Sequence, residues 1–174
     1  MLTDDNRGTK MSKKLSLLMA LVAVSGTAVA GAPQDHCTDF SRYTVDAAAN
    51  GTRAKPDFAS TPDAQGLEST ILERYTGKPN FAGHYQVVSW GCGTGCQVFA
   101  VVDTVTGKIT FAPRSTQQGA SFHLDSALFI LDPPRETPDH FAYYETDAYV
   151  WDEAQGNFRA MSECHREHEP DRDG

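Results

Sequence analysis

The chain has 174 residues, 23 acidic against 15 basic side chains, a net charge of −8, and four cysteines. That balance repels phosphate backbones and anionic lipid, so nucleic acid and membrane surfaces are poor partners; a cationic protein, a small ligand or a metal ion suits it better. The length leaves room for one domain with a real core beside a targeting segment.

From Met11 the sequence reads "MSKKLSLLMALVAVSGTAVAGAPQ". Lys13 and Lys14 form a positive start, Leu15 to Val24 an apolar run, and "AVA" at 28–30 a small-x-small cleavage site. Residues 1–30 are therefore expected to be a signal peptide, with cleavage after Ala30 and Met11 as the true start. The competing reading is an apolar anchor that stays attached, but the run is short for a membrane span. No cysteine stands at the expected mature start, which argues against lipid anchoring. The exported remainder carries a net charge of −10 and is expected in the periplasm or outside the cell.

Residues 31–64 read as a loop-rich N-terminal segment, with a short helix fitting near Asp39 to Ala49. Residues 65–164 read as the core. "GLESTILERYTG" predicts a helix with Leu67, Ile71, Leu72 and Tyr75 on one face, Asp63 as its cap and Gly77 at its close. Replacing Leu72 with Asp is expected to unfold the domain. From Asn80 the period changes to two. "HYQVVSW", "CQVFAVVD" and "GKITFAP" are strands, "SFHLDSALFIL" is one long strand or a hairpin turning at Asp125-Ser126, and "HFAYYETDAYVWD" and "NFRAMSEC" follow. Residues 165–174 read as a charged, flexible tail. The expected fold is α+β: a single antiparallel β-meander sheet of about five to seven strands with one or two short N-terminal helices, stapled by disulfides.

"VVDTVTGKITF" and "VWDEAQGNFRA" share the pattern apolar-Asp-x-x-x-Gly-x-apolar. Each reads as a hairpin whose Asp opens the turn and whose Gly takes the left-handed position. A propeller needs more β pattern than this chain holds, so the repeat reads as convergent turn chemistry.

"SWGCGTGCQ" at 89–97 raises the main chemical question. With "GTG" as a hairpin tip, Cys92 faces Cys96, and the pairs below are Trp90 with Val98, Ser89 with Phe99, Val88 with Ala100, Val87 with Val101, Gln86 with Val102 and Tyr85 with Asp103. Opposed residues lie within disulfide reach. An even cysteine count in an exported chain points to bonds, and of three pairings Cys92–Cys96 with Cys37–Cys164 is expected. The entropy model gives the long loop about 5 kcal/mol and the short one about 2. A redox pair wants two intervening residues and a helix start. A zinc site wants about four ligands; His84, His123, His140, His165 and Cys164 show no paired spacing, and the tail triplet Cys164, His165, His168 loses its thiol if the long bond forms. No metal or cofactor is therefore expected, and no hydrolase, metalloprotease or phosphate-loop motif occurs.

The binding candidates are His84 and Tyr85 as cleft lining, Trp90 as a platform, Thr94 within a possible anion-holding glycine loop, and Asp103; each also has a plain packing or turn role. The stretch "KPNFAGHYQVVSWGCGTGCQVFAVVDTVTGKI" resembles an uncharacterised family of exported bacterial proteins with no assigned activity. The likeness rests on N-F-x-G-x-Y at Asn80 to Tyr85, W-G-C-G-x-x-C at Trp90 to Cys96 and D-x-x-T-G-K at Asp103 to Lys108. It implies a small exported domain and no substrate. The functional expectation is an exported binding domain, an inhibitor or neutraliser of a cationic protein such as a wall-degrading enzyme. The alternative is a metal-dependent or thiol-based periplasmic enzyme using His84, Cys92 and Cys96.

Overall fold

A computed structural model describes residues 36–47, 53–134 and 145–164, all within the unit Pro33–Gly174. The expected signal segment and tail lie outside the described residues.

Among the described residues, seven strands form two antiparallel sheets rather than the single meander expected from sequence. The first sheet holds β1 (Tyr85–Gly93), β2 (Cys96–Asp103) and β3 (Ile109–Phe111); the second holds β4 (Ala120–Phe122), β5 (Leu128–Leu131), β6 (Asp147–Asp152) and β7 (Asn157–Ala160). Each sheet is itself a meander. The break follows β3, where Pro113 has no N–H to extend the ladder. The physical reason for two sheets lies in the first hairpin, which is apolar on both faces. Phe99, Val101, Val87 and Tyr85 pack with Phe129, Leu131 and Trp151 of the second sheet around the fully buried Phe81. Folding the second half over the first buries a face that a flat sheet would leave wet.

The crossover between the sheets is pinned at both ends. Gln97 and Thr116 exchange backbone hydrogen bonds of 2.8 and 2.9 Å. Arg114 donates to Asp132 at 2.6 Å, to Asp147 at 2.5 Å and to the Glu145 carbonyl at 2.7 Å. The other Asp132 oxygen accepts from the amides of Gln117 and Gln118 at 2.8 and 2.6 Å. Burial works against the Arg114 charge, but its bonds to the two carboxylates outweigh burial and raise its pKa.

The β1–β2 register matches the expectation from Tyr85↔Asp103 through Trp90↔Val98. It departs at the tip: Gly93, not Cys92, sits opposite Cys96, after a bulge between Gly91 and Gly93. The turn is then Thr94-Gly95, with Gly95 at φ 62°. A two-residue turn follows the strand twist better than a three-residue one, and the bulge absorbs the extra residue. "SFHLDSALFIL" is a hairpin, β4 with β5, whose turn spans His123 to Ala127.

The helix α1 (Glu68–Arg74) covers the other face of the first sheet. Ile71 is fully buried against Val88, Ala100, Val102 and Ile109. Leu72 is 50% exposed, against expectation. Seven residues make only about two turns, so one position aims at the sheet. Leu67 and Tyr75, four residues either side of Ile71, pack partly buried at its flanks, while Leu72 is rotated away. Ile71, not Leu72, is the position where Asp should unfold the domain. Asp63 lies in a 3-10 turn (Pro62–Ala64) instead of capping α1, whose cap residue is Leu67 with no side-chain bond.

The helix expected near Asp39 to Ala49 is a single 3-10 turn, Phe40–Tyr43, capped by Asp39. It stops because Thr44 bridges Ser126 and the Val45 amide donates to Asp125 O at 2.9 Å. Backbone pairing to the second sheet draws the chain out of the helix. Both expected disulfides are formed, Cys37–Cys164 and Cys92–Cys96, with Cα separations of 5.4 and 5.1 Å. The first clamps the outer face of the second sheet, where Leu128, Ile130, Ala148 and Met161 are buried with the two cysteines.

Candidate functional site

The site begins with the turn at Asn80 to Tyr85. Asn80 mimics a strand partner: its Oδ1 accepts from the Val87 amide at 2.7 Å and its Nδ2 donates to Val87 O at 3.2 Å. Phe81 drops into the core, and Ala82 and Gly83 adopt positive φ of 41° and 82°. The Ala82 conformation is unusual for a side-chain-bearing residue; amide bonds from Ala82 and Gly83 to the carbonyls of His123 and Leu124 hold it. The tight turn delivers His84 and Tyr85 side by side, their rings 4.1 Å apart. Thr104 fastens the His84 carbonyl through its hydroxyl at 2.5 Å.

His84 Nε2 lies 3.5 Å from Asp103 Oδ1, an ion pair whenever the imidazole is protonated. Asp103 also organises its own turn, accepting from the amides of Val105 (2.7 Å) and Thr106 (3.2 Å) and from the Thr106 hydroxyl (2.6 Å). Tyr85 crosses Trp151 edge to face with centroids 4.8 Å apart. Burial raises the Tyr85 pKa, and the Trp151 indole lowers it in part. That indole N–H is buried and yet closes no hydrogen bond of normal geometry.

Tyr85, Asp103 and Trp151 line one cleft. It lies between the β2–β3 turn and the β6–β7 turn, the two arms of the sequence repeat, which are tied where Thr110 donates to the Gly156 carbonyl at 3.0 Å. The cleft measures about 190 Å³ and is lined by Tyr85, Asp103, Lys108, Trp151, Glu153 and Gln155 among others. A second, open hollow shares Glu153 and brings in His84, Asp46, Thr44 and Ala82. The cleft has an aromatic floor of Tyr85 and Trp151 under Asp103, Glu153 and Lys108, and the hollow beside it adds Asp46 and His84 around the shared Glu153. It can hold a polar or cationic group by charge and hydrogen bonds.

Three of the five residues singled out from sequence, His84, Tyr85 and Asp103, meet here. Trp90 and Thr94 do not. They lie toward the tip of the same hairpin, whose first strand carries the chain about 26 Å from Tyr85 to Gly93, next to Thr94. Trp90 is half-buried and packs edge to face on Phe111, and Thr94 is exposed in the disulfide loop. Sequence reasoning missed Lys108, Trp151 and Glu153. The signal that pointed to them was the repeat itself, since a turn motif occurring twice can place two like loops side by side.

His36, Cys37 and Cys164 form a separate group of potential ligating atoms, all within 4.8 Å of one another. Among the described residues no helix is long and apolar enough to cross a membrane. Comparison with protein-family models, with curated proteins and with solved structures gives no match.

Proposed function

We infer that the chain is an exported binding domain that captures a cationic protein at the twin-turn cleft and neutralises it. One observation carries this reading: on a strongly acidic chain, Asp103 and Glu153 line the aromatic-floored cleft, and Glu153 also lines the adjoining hollow with Asp46 and His84. An inserted lysine or arginine of a partner finds carboxylates at the rim and ring faces near the floor. The surrounding charge steers the partner in. Two bonded cysteine pairs suit an oxidising compartment, as the signal-like N-terminus does. The thiol-based alternative at the "GCGTGC" loop has less support, because Cys92 and Cys96 are joined and a nucleophile there must first be reduced.

A basic lysozyme serves as the probe, as a representative wall-degrading enzyme. Binding by calorimetry should weaken steeply between low and physiological salt, and Asp103→Asn with Glu153→Gln should weaken it at least tenfold. Absent binding, or binding indifferent to both salt and the double variant, overturns the reading.

A further inference from the structure

The second cluster lies at the other staple, and its argument does not depend on the cleft. Cys37 and Cys164 are 6% and 2% exposed. His36 Nε2 stands 3.8 Å from each of their sulfurs. Glu163 Oε1 is 4.0 Å from the same nitrogen, and the two side chains are 45% and 59% exposed for His36 and Glu163 respectively. One imidazole thus faces both sulfurs equally, with a carboxylate behind it and solvent within reach.

Three of these groups, the imidazole and the two sulfurs, are close to the spacing of a tetrahedral ligand set. A zinc ion with bonds of about 2.3 Å to sulfur and about 2.0 Å to nitrogen holds S and N about 3.5 Å apart and two sulfurs about 3.8 Å apart. The two N–S edges already lie near that length. The sulfur pair has to open, which rotation about the two Cα–Cβ bonds supplies, and the exposed Glu163 carboxylate has to swing in to complete the set. The donor chemistry, two thiolates, an imidazole and a carboxylate, matches the preference of zinc over magnesium or calcium. The Cys37–Cys164 bond is also the one that ties the domain's first described residues to its last, so a metal here replaces a cross-link with another cross-link.

We propose that Cys37 and Cys164, once reduced, form a zinc site with His36 and Glu163, so that the terminal staple closes either as a disulfide or as a metal clamp. The reductant is a dithiol. It gives two electrons and two protons to the Cys37–Cys164 bond and itself closes to a disulfide. Two thiols result, and zinc binding then releases their two protons to solvent.

The test uses Co²⁺ as the probe, in a Cys92→Ser, Cys96→Ser background that leaves only the terminal pair. The oxidised protein should give no thiolate-to-cobalt charge-transfer band. After reduction it should take up one Co²⁺ per chain with that band and the visible bands of a tetrahedral site. Excess Zn²⁺ should abolish both. His36→Ala should bind at least tenfold more weakly. A reduced protein without the band overturns the proposal, and so does His36→Ala binding as tightly as its parent. If reduction alone unfolds the chain, Zn²⁺ must restore the folded near-ultraviolet dichroism. A chain that stays unfolded in excess Zn²⁺ also overturns it.

Discussion

The two turns that make the cleft share a sequence pattern and a backbone, but they are held very differently. In both, the glycine amide returns to the aspartate carbonyl at 2.8 Å, Gly107 to Asp103 and Gly156 to Asp152. The first turn is enclosed. Ala54 donates to Thr104 O and Asp57 to Gly107 O, so residues 53–57 run along it as an outer strap. The Asp103 carboxylate is used three times within its turn and faces His84 besides. The second turn is open. The Asp152 carboxylate accepts only from the Gln155 amide, at 3.1 Å, among the bonds described for it. One motif therefore serves as a fixed wall and as a compliant one, and what decides is the neighbouring chain, not the turn residues.

The largest expected effect comes from the glycines. A Cβ on Gly107 would stand 2.2 Å from the Lys55 carbonyl oxygen, whereas one on Gly156 would meet the movable Lys108 ammonium at 3.1 Å. Both have positive φ, so left-handed strain is common to the pair and the clash is not. Gly107→Ala should cost more than about 3 kcal/mol and Gly156→Ala about 1 in urea unfolding. Equal losses would mean that the strap gives way easily.

The aspartates come next. Asp103→Ala should lose about 2 kcal/mol and Asp152→Ala about 0.5, because the first strands several donors and the second strands one. Thermal unfolding of both variants checks the ratio; similar losses would erase the distinction between wall and flap. Cutting the tie between the turns with Thr110→Val should cost about 1 kcal/mol and raise amide exchange in the second turn more than in the first. Faster exchange in the first turn alone would reverse the assignment.

The smallest effect is the alkaline limb at Tyr85, which sits between both turns. Its folded pKa is raised, first by burial, so the fold favours the neutral phenol. The stabilisation is whole below the ordinary phenol value of about 10 and is lost as pH rises through the raised folded value. Tyr85→Phe should shallow the fall in stability above about pH 10, with Tyr75 and Tyr149, raised in the same direction, carrying the remainder. An unaltered alkaline limb would show that Tyr85 ionises without consequence.

Local physics was legible in the sequence. Placing the hairpin tip at "GTG" set the strand register by counting pairs back from the two cysteines, and the pairs from Trp90↔Val98 to Tyr85↔Asp103 follow it. The same count brought Cys92 and Cys96 together, and their bond is formed even though Gly93 takes the position opposite Cys96. What alternation does not encode is where a meander stops being one sheet. The decision rests on Phe99 meeting Phe129 across the core, a contact between distant segments. The cleft was half legible for the same reason: His84, Tyr85 and Asp103 are neighbours within one hairpin, while Trp151 and Glu153 arrive from the other sheet. Leu72 and Ile71 look alike on a helical wheel, and only the shortness of α1 separates them.

The Cys37–Cys164 bond joins residues 127 positions apart whose Cα atoms are 5.4 Å from one another. A pull on the two ends of the domain therefore enters and leaves through the same pair of sulfurs. Tension passes across the bond and bypasses both sheets. A machine that unravels proteins by drawing on a terminus meets a closed ring and must thread a doubled chain or sever the bond first. While the staple is shut, tension drawn between the two ends outside it does not pass through the core.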